Sequence, residues 1–243
     1  MRAMNSLGKK LPITVLALTL LLSACTSFKA QEFNKEANQN VRKIAVAPIG
    51  MPAAAQSQTL NAVGNNFGII GALVETSRQS AASKEEAAEL TEGGLDYHTY
   101  LPAQIESALK AAGFEVTMLP APRAGHQGKF LATLPPALGN ESTLDVYVSY
   151  IGYTASGPKA PYRPAVHLEA RLVDPRSQKV LFADQIYYNN FQPAAAKTAI
   201  TIEPDPQAVF ADRNAMKAAP EDVTKHLRVA IDAVATELAK QLK

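Results

Sequence analysis

At 47% apolar residues, the 243-residue chain has enough hydrophobic side chains for one large domain with its own core. Its 24 basic and 22 acidic residues leave a formal net charge of +2. No basic stripe with interleaved aromatics occurs, which excludes nucleic-acid binding of the usual electrostatic kind, and a single cysteine excludes a disulfide framework.

Arg2, Lys9 and Lys10 precede an apolar run from Leu11 to Leu22, which leads into Leu22-Ser23-Ala24-Cys25. A cationic start, a short apolar stretch and small residues before a cut site are the layout of a secretory signal. The apolar run is shorter than the ~20 residues a membrane-spanning helix needs. The Leu-Ser-Ala-Cys segment resembles the lipobox of bacterial lipoproteins. The resemblance implies removal of residues 1–24, cleavage between Ala24 and Cys25, and acylation of Cys25. With Thr26 rather than Asp next in line, it also implies delivery to the outer membrane, anchored at its periplasmic face. Without the signal's three basic residues, the mature chain carries 21 basic against 22 acidic residues, so the basic balance vanishes.

Residues 25–40 are polar and aperiodic, and read as the lipidated cysteine followed by a flexible tether. Residues 41–243 read as a single α/β domain. Val41 to Ile49 is the first strand, apolar enough to be covered on both faces. A helical insertion is expected over about 55–94. Within it Leu60, Val63, Phe67, Ile70 and Val74 fall on one helical face, beside a parallel stripe of Gly64, Gly68 and Gly71. Each interior glycine costs a helix ~1 kcal/mol relative to alanine, so the stripe implies close contact. Three contacts suit it: the protein's own sheet, another protein or a second copy, or the lipid interface. The insertion lacks the alternating strands of ~9–11 residues that a membrane barrel needs.

Leu95 to Ala112 reads as a helix, with Pro102 in its first turn, Ile105, Ala108, Leu109 and Ala112 as its stripe, and Gly113 as its stop. Phe114 to Leu119 follows as a strand, which completes a β–α–β unit. After a proline- and glycine-rich stretch, Leu144 to Tyr153 alternates, with Leu144, Val146, Val148 and Tyr150 expected on one face. Val166 to Leu172 and Val180 to Tyr188 form a hairpin about Asp174-Pro175-Arg176-Ser177. Asn189 to Ala219 reads as a long irregular segment. Pro220 opens a last helix whose buried stripe is Val223, Leu227, Ile231, Val234 and Leu238.

The expected fold is thus α/β: a single mixed sheet, β–α–β followed by a three-strand antiparallel meander, flanked by helices. The stretches VRKIAVAPI, ALKAAGFEV, LDVYVSYIGY and ARLVDPRSQKVLFADQ resemble periplasmic lipoproteins of the curli-secretion (CsgG-like) type. They are also similar to the amino-terminal domain of the translocation protein TolB and to penicillin-binding-protein activator lipoproteins.

No catalytic residue emerges from the pattern. His98, His126, His167 and His226 lie on four separate elements with no metal-ligand spacing, so neither a metal nor another cofactor is expected. No G-x-S-x-G elbow occurs, and Gly125 to Phe130 lacks the first glycine and final hydroxyl of a phosphate loop. Glu169 and Asp184 sit on the two hairpin strands, where cross-strand pairing with Arg171 is the simpler role than a catalytic pair. Tyrosines 147, 150, 153, 162, 187 and 188 cluster around the meander, with Tyr153 and Tyr162 expected at exposed contacts. The combined reading is a non-enzymatic envelope lipoprotein, an assembly or adaptor subunit with protein partners that include further copies of itself. A regulator of a cell-wall synthase, or an envelope hydrolase, is the alternative.

Overall fold

The computed structural model describes residues 29–60, 84, 88, 90, 92–120, 123, 130–136, 139, 141–191 and 199–243. Cys25 and its signal, and the stripe of Gly64, Phe67, Gly68 and Gly71, lie outside these residues.

The first strand, β1 (Lys43–Val46), leads through β2 (Gln56–Thr59) to helix α1 (Tyr97–Ala111), and β3 (Glu115–Met118) returns parallel to β1. Asp96 caps α1 by accepting from the His98 amide at 3.0 Å. Gly113, at φ +97°, ends it as the sequence predicts. Next come three long antiparallel strands, β4 (Ser142–Ala155), β5 (Tyr162–Val173) and β6 (Val180–Tyr188). Among the described residues the sheet has seven strands, the last being β7 (Ile200–Ile202), in the order β3-β1-β4-β5-β6-β7, with β2 also paired to β4. The expected α/β fold with a mixed sheet flanked by helices is the one observed.

Two regions depart from their sequence reading. The start of the expected helical insertion is β2, a strand running parallel to the far end of β4 with Gln56 against Gly152. Residues 84, 88, 90 and 92 of that insertion are helical. The irregular stretch after Asn189 contains β7 (Ile200–Ile202), parallel to β6, and a short helix α2 (Arg213–Lys217) before α3 (Pro220–Gln241).

The polypeptide from β1 to β2 follows β4 throughout. Ile44 pairs with Ser142, Gly50 bridges Tyr147, and Gln56 pairs with Gly152. Six residue steps therefore run against five, twice over, and each surplus step falls in a segment containing a proline, Pro48 or Pro52. Proline lacks the ladder donor, so these breaks are where β4's partner bulges.

One core holds the molecule together. Helices α1 and α3 pack on each other and on one sheet face, burying Leu101, Ile105 and Leu109 from α1. All five residues of the stripe expected on the last helix are buried there too. They meet Leu144, Val146 and Val148 of β4, Leu168, Ala170 and Leu172 of β5, and Phe182 and Ile186 of β6. At ~1.5–3 kcal/mol per fully buried large apolar side chain, this face is the main source of stability.

Residues 31–40 are not free. Gln31 forms an antiparallel bridge with Ala183 on the outer edge of β6, with N–H to O distances of 2.7 and 2.9 Å. The chain then passes through a turn over residues 35–40 to reach β1. The tether expected over 25–40 is corrected to a strap docked from Gln31 onward, because β6 offers an unpaired edge that Gln31 fills.

Candidate functional site

The second face of the meander carries most of the polar and aromatic side chains that the sequence singles out. Successive rows on this face are Asp145, Arg171 and Ala183, then Tyr147, Glu169 and Gln185, then Tyr150, His167 and Tyr187. A segment before β4 folds onto the first row through Arg123, Phe130 and Leu131.

Asp145 is the centre of that row and is fully buried. Its Oδ1 accepts from Arg123 Nη1 at 3.0 Å, and its Oδ2 from Arg171 Nη2 at 3.0 Å, Arg171 Nε at 3.2 Å and the Leu131 amide at 2.8 Å. Arg123 also donates to the Pro48 carbonyl at 2.7 Å, and Arg171 donates to the Leu131 carbonyl. The Arg171 guanidinium lies 4.7 Å from the centroid of the Phe130 ring, whose edge contacts Tyr147 at 5.0 Å. A buried carboxylate needs compensating donors, and this one has four, one on Oδ1 and three on Oδ2. The cluster pins Arg123, Phe130 and Leu131 to the sheet; its carboxylate is engaged in structure rather than free for proton transfer.

In the second row the Tyr147 hydroxyl hydrogen-bonds Glu169. Burial first, and this carboxylate second, raise the Tyr147 pKa. Burial and the same carboxylate push Tyr187 up to about 12. Both phenols are therefore neutral donors throughout the physiological range. In the third row His167 is stacked between Tyr187, at 4.1 Å between centroids, and Phe191, at 4.5 Å. Burial lowers its pKa to about 4, so the ring is neutral at pH 7, with Nε2 3.1 Å from the Asn189 carbonyl. The stack secures the turn that leads out of β6.

The residues chosen from sequence fare differently. Arg171 does pair across strands, but its partner is Asp145 rather than Glu169 or Asp184. Glu169 opposes Gln185 in the register, which places the neighbouring Asp184 on the helix-facing side of the sheet. The two carboxylates thus lie on opposite faces and do not form a pair.

Tyr153, expected at an exposed contact, is fully buried, and its hydroxyl donates to the Val223 carbonyl at 2.8 Å. That correction has a backbone cause. A bulge at Ser149 shifts the β4 register between Val148 and Tyr150, so Ile151 and Tyr153 take over the core face. Tyr150, expected beside Val148, lies instead with His167 and Phe191. Tyr162 is half-buried at the end of the same hairpin, its hydroxyl 2.7 Å from Thr59 Oγ1 and its backbone bridged to Phe210. Sequence reasoning misses Arg123 and Asp145 as partners. The only available signal is an acidic residue between the apolar Leu144 and Val146 of a strand.

Among the described residues no group of histidines, cysteines or carboxylates could hold a metal ion, and no helix is long and apolar enough to cross a membrane. No family model matches the sequence, and no curated protein matches it. Among solved structures, the chain is similar to a Xanthomonas campestris protein of the DUF330 family, at 12% identity over 81% of each chain, with a TM-score of 0.41. It is also similar to PelC of Paraburkholderia phytofirmans, solved as a dodecamer, at 10% identity over 88% of this chain and 95% of that one, with a TM-score of 0.36. A third similarity is to lipoprotein GNA1162 of Neisseria meningitidis, at 15% identity over 60% of this chain and 78% of that one, with a TM-score of 0.19.

Proposed function

We propose that the protein is a non-enzymatic lipoprotein of the outer membrane that holds its α/β body at the periplasmic face as an assembly or adaptor subunit of an envelope complex of the secretion or export type. The observation that carries this reading is the lipobox Leu22-Ser23-Ala24-Cys25, followed after residues 26–30 by a strap docked on β6. Six residue steps from Cys25 to Gln31 span at most about 20 Å when extended. The body is then confined near the bilayer, where it suits a stationary partner rather than one across the periplasm. This favours the adaptor reading over activation of a distant cell-wall synthase. On the second sheet face Asp145 is engaged by Arg171 and Tyr147 by Glu169, which supports a scaffold role.

Feeding cells a clickable fatty acid tests the reading. Wild-type protein is expected to take up the label and co-sediment with outer membranes, and Cys25→Ala to lose both. An unlabelled wild type, or a Cys25→Ala variant still held in the outer membrane, overturns it. Crosslinking in cells is expected to capture envelope proteins, further copies of this chain among them.

A further inference from the structure

We infer that the groove between the strap and the ends of α1 and α3 is a docking site for anionic phospholipid of the membrane to which the chain is tethered. This inference rests on the lipoprotein reading for its geometry but not for its test. The groove measures about 570 Å³. Phe33 and Val41 of the strap, Phe114 at the start of β3 and Leu242 after α3 give it an apolar lining. Around it stand Lys35, Arg42 and Lys243, all exposed, against one lining acid, Glu36. The side chains of these three residues make no hydrogen bond or ion pair among the described residues, unlike nearby Lys43, which pairs with Glu115 at 2.7 Å, and Lys110, which pairs with Glu106.

Two independent features point to a phospholipid. An apolar lining bordered by unpaired cations matches a molecule with acyl chains and a phosphate. The groove also begins at Phe33, two residues after the docked Gln31, and Cys25 is at most about 20 Å of extended chain from Gln31. An acylated Cys25 therefore keeps the groove close enough to touch the bilayer, where it enters the ~8–10 Å over which surface potential acts.

The test uses the chain from residue 25, which contains every described residue, with Cys25→Ser so that no lipid anchor contributes. Flotation is measured with vesicles of phosphatidylcholine alone and of phosphatidylcholine mixed with phosphatidylglycerol. Binding is expected only with the anionic vesicles, and weaker by about a hundredfold or more in a Lys35→Glu/Arg42→Glu/Lys243→Glu variant that melts like its parent. The chain contains no tryptophan, so Phe114→Trp creates a single reporter. Its emission is expected to be quenched by vesicles with brominated acyl chains. Equal binding to neutral vesicles, binding indifferent to charge reversal, absence of quenching, or a dimer formed through the groove in place of vesicle binding would each overturn the inference. Fatty-acid labelling of Cys25 in cells is a separate readout, so failure here and failure of the lipoprotein reading are distinguishable.

Discussion

Asp145 and Arg171 stand directly opposite each other in the β4–β5 register, and Arg171 reaches Asp145 Oδ2 with two nitrogens while Arg123 holds Oδ1 from the other side. Removing the carboxylate strands two guanidinium groups, one of them almost wholly buried. Asp145→Ala is therefore expected to cost about 3–5 kcal/mol, read from a denaturant melt. Replacing all three charges together, as Asp145→Leu/Arg171→Leu/Arg123→Met, is expected to recover much of that loss. A single variant that melts like the wild type would show the cluster to be dispensable.

Tyr150 and Tyr153 give a second contrast. The Tyr150 hydroxyl donates to the carbonyls of Tyr153 at 2.7 Å and Gln56 at 3.1 Å, tying β2 to the bulged part of β4. Tyr153→Phe and Tyr150→Phe are each expected to cost about 0.5–1.5 kcal/mol by loss of a buried hydrogen bond. Tyr153→Ala, which opens a cavity beneath α3, is expected to cost about 3–5 kcal/mol. Between them lies Gly152 at φ +143°, a conformation that other residues rarely adopt. Gly152→Ala is expected to lower the melting temperature more than an alanine at a regular strand position.

His167 predicts a pH dependence. Burial lowers its folded pKa to about 4, from an ordinary value of 6.5. Below 6.5 the unfolded chain takes up a proton that the folded chain refuses, so the stability of the neutral, stacked ring is complete above 6.5 and is lost progressively toward 4. The slope approaches ~1.4 kcal/mol per pH unit between these values. His167→Gln is expected to flatten the stability profile over that window while lowering stability at pH 7. Parallel profiles for the two proteins would assign the acid sensitivity elsewhere.

Periodicity made the outer frame of this fold readable. The β–α–β unit, the hairpin and the last helix each have an apolar pattern of one period ended by a recognisable stop such as Gly113 or Asp174. The alternation of β4 misleads beyond Val148, because one surplus residue at Ser149 exchanges the faces and a bulge of this kind leaves no mark in composition. The strands β2 and β7 also escape notice. Gln-Ser-Gln-Thr and Ile-Thr-Ile are too short to show a period, and they become strands only where β4 and β6 offer free edges. The Arg123–Asp145 pair spans 22 positions across a proline-rich stretch, a distance at which sequence carries no pairing information. The strap belongs to the same class, as a polar segment ordered by a partner 152 positions away.

The strap also links stability to reach. The Ala183 amide donates to Gln31, the Gln31 amide donates back, and the Gln31 side chain donates to the Val180 carbonyl. Gln31→Pro removes the backbone donor and the side-chain amide at once. The variant is expected to speed hydrogen exchange at the Ala183 amide by tenfold or more while leaving β4–β5 amides such as that of Leu168 unchanged. Once released, the linker behind Cys25 lengthens toward the whole of residues 26–40, and its root-mean-square span grows from about 13 Å to about 20 Å. If confinement near the bilayer matters, crosslinks from the body to stationary membrane partners are expected to weaken in Gln31→Pro although the fold melts almost normally. An unchanged exchange rate at Ala183 would mean that the edge of β6 is protected by something other than the strap.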